Sequence, residues 1–304
     1  MRRRSRLFLG VTGLIALTTL VSVQLLRGGI NGPRTFSGER ALGDVVTQVA
    51  FGPRTPGSAG HADFVAWAQT QFEDAGWQVE IQRVGEGGEI QNIVATRESL
   101  ADEKSWLIIG AHYDTRLLAD QDSDPANRGQ PGPGANDGAS GVAVLLELAR
   151  VLPDLPDKNI WLVLFDGEDN GEIDGREWAL GSAGFVAGLP ELSGGRLPAG
   201  VVIIDMIGDA DLNIHLETNS NTALSAAIWS AAARQGHAGQ IIPLPKYSML
   251  DDHTAFLQAD IPAALLIDFD YPYWHTLGDT PDKLSAASLF AVGDTLLAWL
   301  VGGE

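Results

Sequence analysis

The sequence predicts an α/β fold, a three-layer sandwich in which a mostly parallel central β-sheet is flanked by helices. Three observations predict it. Strand-length runs such as IWLVLF at 160–165 and VVII at 201–204 are apolar throughout, without the polar alternation of a half-exposed strand, and such strands are buried on both faces. Stretches with helical apolar spacing alternate with them, the pattern that builds helices onto a parallel sheet. The apolar runs also stop at acidic residues or histidines, where open α/β sheets form their sites.

In chain order, residues 39–51 and 58–77 carry helical apolar spacing, seen in Phe64, Ala68 and Phe72. Residues 77–84, 90–97 and 105–114 follow as strands. GASGVAVLLELARVL, 138–152, reads as a helix, and NIWLVLFDGE, 159–168, as a buried strand. GVVIIDMIG at 200–208 and PAALLIDF at 262–269 are two more strands, and residues 283–300 close the chain as a helix. No composition break divides residues 31–304, which are expected to form one catalytic domain.

The charge is unevenly spread. Residues 1–30 hold five Arg and no acid, so 15 basic residues face 39 acidic ones in the remainder. A body of that sign repels phosphate backbones, which argues against nucleic acid as a partner. Residues 7–26, LFLGVTGLIALTTLVSVQLL, contain no charge and are long enough to span a bilayer. With the Arg cluster ahead of them, they are expected to act as an uncleaved signal anchor with the body outside the cytoplasm, a cleaved signal peptide being the alternative. Cysteine is absent, so neither a disulfide framework nor a thiol nucleophile is available.

Three separated motifs carry the chemistry: Asp137 in GANDGASG, Glu168 and Asp169 in LFDGEDNG, and His275 in YPYWHTLGDT. Together they offer two carboxylates and an imidazole to one divalent metal, with a spare carboxylate beside it. That is the donor set of a catalytic zinc site, which keeps three protein ligands and an open position. Each residue also has a plainer explanation. Asp137 alone suits a helix N-cap, and Glu168-Asp169 alone suits a charged turn. Two adjacent carboxylates after a buried strand are harder to dismiss, because one can hold metal while the other moves protons. His112 in GAHYDT joins them as a strand-end candidate, while His61, His215 and His237 read as structural or surface residues. Trp274 and Trp178 flank the motifs and could wall a small-ligand pocket, with core packing as the alternative. The segment 117–134, with Asp120, Asp122 and Asp124, reads as a solvated loop near the site mouth, since Pro125 and Pro131 break a calcium-loop pattern.

From about residue 51 to the C-terminus the chain resembles the zinc-dependent exopeptidases of the M28 family, and within it the glutaminyl-peptide cyclotransferases. The resemblance rests on AHYDT, GANDGASG, FDGED, IDMIG, DDHTAF and WHTLGDT in the family's order. For the two-zinc aminopeptidases it implies His112, Asp137, Asp169, Asp205 and His275 as ligands and Glu168 as base. For the cyclases it implies one zinc on Asp137, Asp169 and His275, with Glu168 as proton carrier and Asp205 and Asp252 in a hydrogen-bonded acidic network. The Asp251-Asp252-His253 motif, Trp274 before His275 and the FDGED form of the acidic pair favour the cyclases. Asp169 departs from the Glu more usual at its position, and its shorter arm draws the metal towards the strand end. The implied reaction converts an N-terminal glutaminyl residue of a peptide into pyroglutamate with release of ammonia. The alternative is hydrolytic removal of N-terminal residues.

Overall fold

A computed structural model describes residues 35–85, 87–97 and 104–302. The expected anchor at 7–26 lies outside the described residues, and among those described no helix is long and apolar enough to cross a membrane.

Two helices open the described chain, α1 (Gly38–Ala50) and α2 (Ala59–Asp74), capped by the hydroxyls of Ser37 and Ser58. Strands β1 (Gln78–Val84), β2 (Ile90–Thr96) and β3 (Ser105–His112) follow, then α3 (Ala139–Val151) and β4 (Lys158–Phe165). Next come α4 (Leu180–Ser193), β5 (Gly200–Asp205), β6 (Ile214–Glu217), α5 (Thr222–Gln235) and β7 (Ile241–Tyr247). The short helix α6 (His253–Gln258), β8 (Ala263–Ile267) and α7 (Ala286–Val301) complete the order.

The main sheet runs β1-β2-β4-β3-β5-β8. Strands β4, β3, β5 and β8 are mutually parallel, while β1 pairs antiparallel with β2 and β2 with β4. The strands buried along nearly their whole length are the parallel ones, and β1, whose residues are half-buried or exposed, forms the edge. Side chains alternate between two cores. Ile109 and Ala111 of β3 join α1, α2, α3 and α7 on one face, whereas Trp106 and Ile108 join Phe185 of α4 and Phe256 of α6 on the other. Close packing leaves no room at Gly110, where a Cβ would lie 2.5 Å from the Phe165 ring.

This topology places the site. The chain leaves β3 through α3 to β4 on one side and leaves β4 through α4 to β5 on the other side of β3. The two crossovers cover opposite faces, so a crevice opens at the carboxyl end of β3, where the strand order reverses.

The elements that the sequence left unnamed have weak local signals. Helix α4 contains three glycines and an internal Pro190. Strands β6 and β7 form a separate two-stranded sheet with register shifts beside Leu216, and Pro243 and Pro245 within β7 obscure it, since Pro cannot donate to a ladder.

Candidate metal centre

His112 ends β3, and Asp205 ends β5. Asp137 precedes α3, Glu168 and Asp169 follow β4, and His275 lies in the loop after β8. All six are buried. The structure brings them together. His112 Nε2 lies 3.0 Å from Asp205 Oδ1 and 3.2 Å from Asp137 Oδ1. His275 Nε2 lies 2.7 Å from Asp169 Oδ1 and 3.6 Å from Asp137 Oδ2. Asp137 thus turns one oxygen to each imidazole and stands between two donor groups, His112–Asp137–Asp205 and Asp137–Asp169–His275.

These residues fit zinc. Donors at zinc-ligand distance on a tetrahedral ion lie about 3.3 Å from one another, within the spread of 2.7 to 3.6 Å seen here. Asp169 Oδ2 is buried without a hydrogen-bond partner, a costly state unless a cation meets it. A carboxylate stands behind each imidazole, Asp114 Oδ1 3.6 Å from His112 Nδ1 and Asp120 Oδ1 3.5 Å from His275 Nδ1, but neither Nδ1 makes a hydrogen bond. That is the place from which a carboxylate orients a metal-bound imidazole.

The electrostatics follow from packing acids together. Burial, then the negative charge of Asp137, raises the Asp169 carboxyl to about 6. Burial raises Asp205 to about 7. Glu168 is pushed well above the ordinary carboxylate range, by burial first and then by the charges of Asp251, Asp169 and Asp252 against the opposing pull of His112. Burial opposes a charge on His112, yet Asp205, Asp114 and Asp137 hold its pKa well above the ordinary value.

Several residues that shape this geometry carry no role assigned from sequence, although Asp114 lies at the end of a strand with His112. Asp114 accepts hydrogen bonds from the amides of Glu168 (3.0 Å) and Asp169 (3.2 Å) and from Asn170 Nδ2 (3.0 Å), pinning the acidic pair. Asp279 accepts from the amides of Asn136 (2.8 Å) and Asp137 (3.2 Å) and from the Tyr271 hydroxyl (2.7 Å). Arg54, wholly buried, donates to the carbonyls of Tyr113, Pro133 and Gly134 and holds the Asp137 loop against the end of β3. The N-cap of α3 is Gly138 at φ 97°, with no side-chain cap, so the capping explanation for Asp137 does not apply and its carboxylate faces the site.

The flanking residues divide. The Trp274 ring stacks on His275 with centroids 3.7 Å apart, and the Trp178 ring lies nearly parallel to it at 6.3 Å. Both tryptophans remain half-buried and so border open space at the site. Arg116 covers Trp178 with its guanidinium 4.9 Å from the ring centroid and donates to the Asp169 and Gly171 carbonyls. Asp252 is fully buried, but neither of its carboxylate oxygens has a hydrogen-bond partner. The expected Asp205–Asp252 hydrogen bond is therefore not formed, and Asp205 is engaged by His112 instead. The 117–134 loop is less free than a solvated loop: Asp122 accepts from the Leu277 amide (3.0 Å), and the Gln121 amide donates to the His275 carbonyl (3.2 Å). His275 itself sits at φ 54°, a left-handed conformation uncommon for a residue with a side chain.

The sequence pattern of peptidase family M28 matches residues 92–300, which takes in every residue of both donor groups. The chain belongs to this family. It is 31% identical to aminopeptidase YwaD of Bacillus subtilis over 221 residues, a match covering 68% of this chain and 43% of YwaD. In structure it is similar to the glutaminyl cyclase of Bacteroides thetaiotaomicron bound to N-acetylhistamine, with TM-score 0.82, 29% identity, and coverage of 90% of this chain and 100% of that one. It is equally similar to a zinc-dependent exopeptidase of Parabacteroides distasonis, with TM-score 0.81, 27% identity and the same coverage. This M28 chain is thus an α/β enzyme of a zinc-dependent family whose relatives act on peptides.

Proposed function

We propose that this M28 enzyme is a glutaminyl-peptide cyclotransferase, with one zinc held by Asp137, Asp169 and His275. The observation that carries the reading is Trp274, which stacks on His275 with ring centroids 3.7 Å apart and stays half-buried at the metal donors. Asp252 is buried with both oxygens unpartnered, and burial together with the Asp251 charge pushes its carboxyl well above the ordinary range. Glu168 is raised as well, by burial first and then by the charges of Asp251, Asp169 and Asp252. Ring closure needs a group beside the substrate that can exchange protons, because one proton must leave the α-amine and one must reach the departing ammonia. The likeness to a solved glutaminyl cyclase supports the same reading.

In this reading the glutaminyl side chain enters the space bordered by Trp178 and Trp274. Zinc, when bound, polarises the side-chain amide carbonyl as a Lewis acid. The peptide's own α-amine forms the new C–N bond to that carbon, the bond to the amide nitrogen breaks, and ammonia leaves. Proximity is built into the substrate, so the enzyme's work is orientation and proton transfer. Glu168 takes the proton from the amine and delivers it to the leaving nitrogen.

One observation favours a second reading. The complete His112–Asp137–Asp205 group could hold a second ion, as in a two-zinc aminopeptidase, where Glu168 would activate water for attack on the first peptide bond. Incubation with a Gln-initiated and a Leu-initiated peptide separates the two. Stoichiometric ammonia and a blocked N-terminus from the first peptide alone are expected; free N-terminal residues without ammonia would establish the peptidase.

The anchor remains part of the proposal: residues 7–26 hold the protein in a membrane with its catalytic body outside the cytoplasm, or direct its secretion if cleaved. Fractionation of cells producing the full chain should find it in membranes or exported. Recovery wholly in the soluble cytoplasmic fraction would contradict both.

A further inference from the structure

Behind the acidic side of the site, Glu217 and His253 form a buried contact that no step above uses. Glu217 closes β6, and its carboxylate is crowded with donors. Its Oε1 accepts from the amides of Asn219 and Met249, each at 3.0 Å. Its Oε2 accepts from the amides of Asn219 (3.0 Å) and Ser220 (2.8 Å) and from the Ser220 hydroxyl (2.8 Å). That hydroxyl in turn accepts from the Leu265 amide of β8 at 3.0 Å. His253 Nε2 lies 3.4 Å from Glu217 Oε2, the imidazole is wholly buried, and neither ring nitrogen makes a well-formed hydrogen bond.

The positions along the chain give this contact a purpose. Met249 precedes the Asp251-Asp252 pair by two residues, and His253 follows it directly. One carboxylate therefore meets the acidic turn at both ends, through a hydrogen bond from the Met249 amide before it and a 3.4 Å contact with the His253 imidazole after it, and ties it to β6 and β8. Burial opposes the charge on Glu217, but His253, the amides of Asn219 and Met249 and the Ser220 hydroxyl hold its pKa at about 2. The carboxylate is thus a strong acceptor, and the turn it holds carries Asp251 and Asp252, both buried near Glu168.

We propose that Glu217 and His253 are positioning residues, a clamp that fixes Asp251 and Asp252 beside Glu168 and so sets the rate of proton transfer without touching substrate or metal. The proposal rests on Glu168 being the proton carrier. The test uses the full chain with His253→Leu, which keeps bulk, and His253→Gln, which restores an N–H able to reach Glu217. Melting temperature and metal content are measured beside kinetics on whichever of the Gln- and Leu-initiated peptides the wild type turns over. In His253→Leu, kcat is expected to fall about 10- to 100-fold, the range that a misplaced group costs, with KM within about twofold. His253→Gln should recover most of the loss.

Glu217→Gln serves if the leucine variant fails to fold. It keeps shape but turns one acceptor into a donor facing the loop amides, and it should show the same kcat-selective loss. A folded, metal-replete His253→Leu or Glu217→Gln enzyme with wild-type kcat overturns the clamp, as does a leucine loss that glutamine does not reduce. A wild type inactive on both peptides overturns the reading of the site itself, which is a different result from an active wild type with indifferent variants.

Discussion

Glu168→Gln should leave the bound metal in place and lower turnover by about 10²- to 10⁴-fold, the usual contribution of a positioned general acid or base. The substitution preserves size and hydrogen-bonding shape while removing the group that carries the proton. Glu168 belongs to neither donor group of the metal centre, and Asp114 fixes its position through the backbone amide at 3.0 Å, so the variant should keep both the loop conformation and the metal. Metal analysis and kcat measured on the same preparation decide the matter. Because both proposed reactions assign Glu168 the proton transfer, the expected loss holds for either. An unchanged rate in a metal-replete variant would remove Glu168 from the chemistry.

The donor residues were legible in the sequence because chemistry and fold leave different marks. His112, Glu168, Asp169 and Asp205 each follow a run of apolar residues at which packing alone has no use for a charge. A parallel sheet brings the carboxyl ends of its strands to one edge, so ordering those runs was enough to gather the residues. Residues that act through the backbone leave no such mark. Arg54 in FGPRTPGS looks like a turn arginine, yet it is buried against the carbonyls of Tyr113, Pro133 and Gly134. Asp279 reads as part of a polar loop, but it holds the amides of Asn136 and Asp137 across more than a hundred residues of chain. Asp137 shows the limit in another way. Its place before a helix suggests a cap, and only the backbone geometry reveals that Gly138 takes that position and leaves the carboxylate to the site. Glu217 was invisible for a related reason: beside the neighbouring amides of Asn219 and Ser220 it holds the Met249 amide, which only the fold brings to it.

Asp137→Ala should abolish metal binding at both donor groups, whereas His112→Ala should still bind the metal on Asp137, Asp169 and His275, with no more than the loss of about 10- to 100-fold in affinity that removal of an orienting neighbour costs. The asymmetry follows from Asp137, alone among the described residues, having an oxygen near each imidazole, Oδ1 at 3.2 Å from His112 and Oδ2 at 3.6 Å from His275. Loss of a partner that only orients a ligand already costs about 10- to 100-fold in metal affinity, so loss of the shared ligand itself should exceed about 100-fold. Zinc content after dialysis against a competing chelator measures both variants against the wild type. A cyclotransferase with one zinc should retain that ion in His112→Ala, and the wild type should hold no more than one. A two-zinc peptidase should fall from two ions to one on the same substitution. Zinc retained by Asp137→Ala with affinity within about tenfold of the wild type would mean that Asp137 is not the shared ligand, and both assignments of the centre would then be wrong.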